Sequence, residues 1–271
     1  MKLRGASFLL TLVTALCAAL FVGQAAFPRA GLYTTDGYAG VSFVLGSGLK
    51  PSLLLLSAVW AWACTRRFED GNPIRPAWRR LSLGLTFLLL GQLIIAGYQL
   101  FLHVPIPFPS VADLFFVVAY PLLVFALVAF ILAYEQAGFP TGPPGERRAT
   151  GAITALLCLL TAVPLLGPVL AANVPPLEKL LNLLYPVLDF VLLVPTLILI
   201  RLSLRFRGGP VGRIWLLLLF GFVFLCFGDV LFAYLSALGQ TALDPLVDGM
   251  YILAYGFLAG GALLQLRLLT D

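Results

Sequence analysis

Eight apolar runs of about 20 residues follow one another along this 271-residue chain: Ala6–Phe27, Gly46–Cys64, Leu81–Leu102, Ala112–Tyr134, Thr150–Ala172, Leu180–Ile200, Ile214–Leu238 and Leu246–Leu266. Each is long enough to cross a hydrocarbon core of roughly 30 Å. A backbone in lipid must satisfy its own polar groups, which leaves helices or a closed barrel. The runs are continuous rather than alternating, so barrel strands do not fit them. The expected fold is an all-α integral membrane protein with eight transmembrane helices. With 61% hydrophobic and 11% charged residues, the connecting loops are too short for a soluble domain.

The formal charge of +5 is not spread as a nucleic-acid surface would be. Lys2 and Arg4 precede the first run. Arg66, Arg67, Arg75, Arg79 and Arg80 follow the second, and Arg147 and Arg148 follow the fourth. Arg201, Arg205, Arg207 and Arg213 lie between the sixth and seventh, and Arg267 ends the eighth. The opposite connections hold only Arg29, Lys50 and Lys179. The positive-inside rule then puts both termini in the cytoplasm of a bacterial inner membrane, with the lipid bilayer as the main partner and no nucleic acid. Trp60, Trp62, Trp78 and Trp215 fall toward the same cytoplasmic interface. Met1-Lys2-Leu3-Arg4, an apolar stretch and Gly23-Gln24-Ala25-Ala26 also fit a cleaved signal peptide. Retention is the favoured reading, because Thr14-Ala15-Leu16 in run one matches Thr154-Ala155-Leu156 in run five.

That match belongs to a wider repeat. Asp113 and Tyr120 recur as Asp248 and Tyr255, both at an offset of 135 residues, and Pro51 recurs as Pro186 at the same offset. Trp78 and Trp215 differ by 137, which also aligns Gly91-Gln92 with Gly228-Asp229. Two four-helix halves are expected, residues 1–134 and 150–271, joined by a cytoplasmic linker at 135–149 rich in Gly and Pro. Each half has an even number of spans, so the repeat is parallel, about an axis along the membrane normal.

Ionisable groups within spans are expensive and face partners, water or ligands. Asp113 and Asp248 fall near the outer surface in the N-in topology, while Asp189 and Asp229 lie roughly 13 Å deep. Helical spacing puts Tyr120 on the face of Asp113, Tyr251 and Tyr255 on that of Asp248, and Tyr185 beside Asp189. Gln92 and Gln99 share a face of run three. The candidate ligand-binding set is thus Asp189, Asp229, Tyr185, Gln92, Asp113, Tyr120, Asp248, Tyr251 and Tyr255, around an outward-facing polar cavity. The bland reading stands beside it. Asp113 and Asp248 follow Pro109 and Pro245 and also suit helix N-caps, and Asp189 and Asp229 also suit interhelical hydrogen bonds. His103 is the single histidine, in a proline-rich outer connection, and reads as solvated. Gly256-Phe257-Leu258-Ala259-Gly260 is a GxxxG suited to close helix contact. Cys17, Cys64, Cys158 and Cys226 have no metal or disulfide spacing. No phosphate-binding, nucleophile or metalloprotease motif occurs, so no catalytic residues, metal ligands or cofactors are expected and the chain does not read as an enzyme.

The phrases Pro109-Ser110-x-Ala112-Asp113-x-x-Phe116 with Tyr120-Pro121-Leu122, Tyr185-Pro186-x-x-Asp189, Gly228-Asp229 and Asp248 with Tyr255 resemble the membrane-embedded input region of bacterial diguanylate cyclases and related GGDEF-type signalling proteins. The likeness runs from about Pro109 onward. It implies an eight-helix sensory module and not cyclase activity, since no GGDEF motif follows Leu266. A stand-alone relative, a shortened piece of a longer protein and a module with a separate cytoplasmic partner all fit, as does a homodimer. The function expected is a receptor-like module that binds a small ligand or ion and signals to the cytoplasmic side. A small-solute or proton-coupled transporter, or a scaffold subunit of a membrane complex, is the alternative.

Overall fold

A computed structural model describes residues 2–26, 41–102, 104, 106–139, 143–171, 173–203, 209–238 and 243–270. The described chain is helical throughout. Helices α1 (Lys2–Ala26), α2 (Val41–Arg67), α3 (Arg75–Ala96), α4 (Val111–Gln136), α5 (Pro144–Ala171), α6 (Pro176–Ser203), α7 (Pro210–Ala237) and α8 (Asp244–Leu268) follow the order of the apolar runs. A π-helical turn, Gly97–Leu102, prolongs α3. Five segments among the described residues are long and apolar enough to cross a bilayer: Arg75–Leu102, Val111–Gln136, Pro176–Ser203, Pro210–Ser236 and Asp244–Leu268. In α2, Lys50, Pro51 and the serines 47, 52 and 57 dilute the apolar stretch.

Several helices start a turn or so before the apolar run because proline sits there. Pro176, Pro210 and Pro245 occupy first-turn positions, where no backbone N–H is needed. Pro144 does the same for α5, so much of the expected linker is helix, and Pro140 and Gly142 lie outside the described residues.

Neighbour relations are simple. α2 packs on α3, α3 on α4, α4 on α6, α6 on α7, α7 on α8, and α8 back on α2. Six helices therefore form a closed ring. α1 and α5 lie outside it, and not as counterparts: α1 rests on α8, whereas α5 rests on α6 and α7. The reason lies in α8. A Cβ at Gly256 would collide with Thr14, and one at Gly249 would lie 3.4 Å from Phe21 Cβ, so both glycines make the seat for α1. At an offset of 135, α4 carries Pro121 and an exposed Leu114 instead.

The tightest seams are α3–α4 and α7–α8. A Cβ at Gly84 would meet Leu123 at 2.6 Å, and one at Gly221 would meet Leu258 at 2.6 Å and the Ala254 carbonyl at 3.0 Å. Below the cavity described next, the ring is filled by leucines and aromatic rings. Trp78 and Trp215 both meet Phe130 edge-on, at 5.6 and 4.8 Å, and the Trp215 indole N–H donates to the Tyr134 hydroxyl at 2.6 Å. Both tryptophans are buried, near the N-terminal ends of α3 and α7. Gly221→Ala and Gly84→Ala are each expected to lose about 1–3 kcal/mol by overpacking. Gly151→Ala, with nothing within 4 Å of the new methyl, gains up to ~1 kcal/mol from helix propensity. Thermal unfolding in one detergent checks the contrast.

Candidate functional site

At one end of the ring the side chains part around a cavity of about 580 Å³. All six ring helices line it, and among the described residues none from α1 or α5 does. α2 supplies Lys50; α3 and its π-turn supply Gln92 and Gln99; α4 supplies Asp113, Phe116 and Tyr120. Asn182 and Tyr185 come from α6, Asp229 and Phe232 from α7, and Asp244, Asp248, Tyr251 and Tyr255 from α8. The segment Ile106–Phe108 and the exposed Asp244 mark the mouth. The opposite end of the ring carries Arg66, Arg67, Arg75, Arg79, Arg80, Arg201, Arg213 and Arg267.

Asp113 belongs both to a helix cap and to the cavity. The Ser110 backbone N–H donates to its Oδ2 at 2.6 Å, and Ser110 Oγ accepts from Ala112 N–H at 3.2 Å, a capping box that opens α4. Its other oxygen, Oδ1, accepts from the Tyr185 hydroxyl at 2.6 Å, which ties α4 to α6. Asp248 is no cap. It lies one turn inside α8, where Oδ1 takes the Lys50 ammonium at 2.5 Å and so ties α8 to α2. Lys50 lies on α2 rather than in an outer loop, with Nζ 6.0 Å from the centre of the Tyr251 ring.

Deeper in the ring, Tyr120 touches two carboxylates at once. Its hydroxyl lies 2.7 Å from Asp189 Oδ1 and is also hydrogen-bonded to Asp229 Oδ2. The Tyr251 hydroxyl donates to Asp229 Oδ1 at 2.5 Å. Asp189 is fully buried and sits behind Tyr120 rather than on the cavity wall, and its Oδ2 has no hydrogen-bond partner among the described residues. The Gln92 amide donates to the Tyr255 hydroxyl at 3.3 Å, and Ser47 Oγ donates to Gln99 at 2.9 Å.

Of the nine expected site residues, eight line the cavity and Asp189 underlies it. Lys50, Asp244 and Asn182 were missed as site residues. Asp244 and Asn182 carry no distinguishing pattern, but Lys50 does: Lys50-Pro51 and Tyr185-Pro186 are 135 apart, as are Asp248 and Asp113. The two seams are thus tied by Lys50–Asp248 and Tyr185–Asp113, at matching positions. Two further bonds match in the same way: Gln92 reaches Tyr255, and Asp229 reaches Tyr120. His103, Arg29, Arg205 and Arg207 lie outside the described residues.

Comparison with family models, with curated proteins and with solved structures finds no match to this chain.

Proposed function

We propose that the chain is a membrane-embedded, receptor-like sensory module whose cavity binds a small ligand and whose opposite, arginine-rich end reports the occupancy. The single observation that carries this reading is the site's construction. Polar groups from all six ring helices converge at one end, while the other end is filled by Trp78, Phe130, Trp215 and leucines. A ligand seated there touches residues 50–120 and residues 182–255 together. Its differential affinity for two arrangements of those parts is the only energy available to drive a signal.

The same reading includes eight spans, both termini in the cytoplasm of a bacterial inner membrane, and a parallel tandem repeat. Support for the repeat is the matched set of bonds at offsets of 135 and 137 residues. Support for the orientation is the placement of arginine opposite the cavity. The output then passes to a cytoplasmic partner or to a second copy. A transporter is the second reading, favoured by the carboxylates Asp189 and Asp229 that meet on one tyrosine, an arrangement suited to coupling ions.

Native mass spectrometry of the protein released from its own membranes tests the binding role. The wild type is expected to retain a small molecule that folded Asp229→Asn and Asp189→Asn variants lose. Retention by all three proteins, or by none, would remove these aspartates from the binding role. Uptake of the identified molecule into sealed vesicles would favour transport over sensing.

A further inference from the structure

The cavity's charges are one-sided. Among the described residues, Asp113, Asp229, Asp244 and Asp248 line it against a single cation, Lys50. That cation is committed: its Nζ stands 2.5 Å from Asp248 and faces the Tyr251 ring at 6.0 Å. One side of the cavity therefore already holds an ammonium between a carboxylate and an aromatic face. At the matching place on the other side, 135 residues away in each partner, Asp113 meets the neutral hydroxyl of Tyr185. Among the described residues neither Asp113 nor Asp229 has a cationic partner. Aromatic rings of Phe108, Phe116 and Tyr120 stand on the same wall as Asp113. Beneath Tyr120 the buried Asp189 keeps one carboxylate oxygen without a hydrogen-bond partner, a second and independent sign that this side lacks a donor.

We propose that the ligand is an organic ammonium ion, an amine cation carrying an apolar or aromatic body, with its nitrogen on the Asp113–Asp229 side and its body among the cavity's rings. The proposal rests on the cavity being a binding site, as argued above. An ammonium supplies N–H donors to carboxylates and lies favourably over aromatic faces. An inorganic anion or a carboxylate would meet the carboxyl groups of Asp113, Asp229 and Asp244, while Lys50 and Asp248 already neutralise each other. A divalent metal fits less well, because among the described residues no three His, Cys, Asp or Glu groups converge as ligands. Asp113 and Asp229 are instead each bonded to a tyrosine hydroxyl, and the wall is mostly apolar.

Isothermal titration calorimetry in nanodiscs tests it with three probes that share a phenylethyl body and differ in charge: 2-phenylethylammonium, 2-phenylethanol and 3-phenylpropanoate. The cation is expected to bind at least about tenfold tighter than the alcohol, and the carboxylate not at all. Asp113→Asn, which keeps a residue able to cap α4, should weaken the cation about tenfold and leave the alcohol unchanged. Asp244→Asn, at the exposed mouth, should weaken it by about two- to threefold, with folding checked by the thermal midpoint. Tighter binding of the alcohol or the carboxylate, lost in Tyr120→Phe but not in Asp113→Asn, would overturn the cation assignment and leave the cavity reading standing. No binding by any probe, or binding that none of these variants alters, would overturn both.

Discussion

Lys50→Met is expected to destabilise the protein by about 3 kcal/mol, and Lys50→Met with Asp248→Asn to restore most of that loss. The pair is partly buried, with 10% of the lysine side chain and 23% of the aspartate side chain exposed. Removing one member of a buried ion pair typically costs 3–5 kcal/mol, because the other charge is left in a poor solvent. The residual exposure of Asp248 brings the expectation to the lower end. Replacing both members removes that uncompensated charge, so the double variant should be the more stable of the two. The pair also closes the seam between α2 and α8, so heat or dodecyl sulfate titration should show the loss as a shifted global transition. A double variant no better than Lys50→Met alone would mean that the lysine acts through its stem packing and not through its charge.

Tyr120→Phe should cost a comparable amount, again about 3 kcal/mol. An interhelical hydrogen bond in a membrane protein averages only ~0.6 kcal/mol, but bonds to ionised groups in proteins run at about 1.5–3 kcal/mol each. One hydroxyl carries one proton, so Tyr120 donates to one of Asp189 and Asp229 and meets the other through its lone pairs and a shared carboxyl proton, and the two contacts join α4 to α6 and α7. Asp189 would then have lost the tyrosine partner of its Oδ1 in a site with no exposed surface. Tyr255→Phe is the matched comparison. It removes only a 3.3 Å contact with the neutral Gln92 amide and should cost less than about 1 kcal/mol. Equal midpoints for the two variants would show that the shared hydroxyl contributes nothing special.

Much of the site was legible because buried polar groups in an apolar chain are few and each needs a partner. Helical spacing alone brought Asp113 to Tyr120 and Asp248 to Tyr251 and Tyr255. It failed for Asp189, which shares a face with Tyr185 by spacing but bonds instead to Tyr120 of another helix. Spacing within a helix says nothing of which neighbour stands opposite. Lys50 was misread for a related reason: a cation near the end of an apolar run looks like a loop residue until its carboxylate is seen across the seam. The 135-residue offset held the missing information, since it carries Tyr185 and Asp113 onto Lys50 and Asp248. The ring itself was not legible, nor the different seats of α1 and α5. Those depend on Gly249 and Gly256; the GxxxG reading of Gly256 and Gly260 pointed to close packing without saying that α1 would be the partner.

Closing the ring has a consequence for how the protein is made. The α2–α8 seam joins residues 198 apart, through Lys50 with Asp248 and through the Ser57 hydroxyl with the Tyr255 carbonyl. At roughly 5–20 residues per second, α8 leaves the ribosome about 10–40 s after α2. For that interval α2 carries an ammonium group and a run of serines with no α8 to meet them. Its retention beside the nascent bundle then falls to α3, through the buried Thr65–Ser82 contact at 3.2 Å and the Trp62–Thr86 bond at 3.1 Å. The α2–α3 hairpin thus acts as the assembly's holding point until the last ring member arrives.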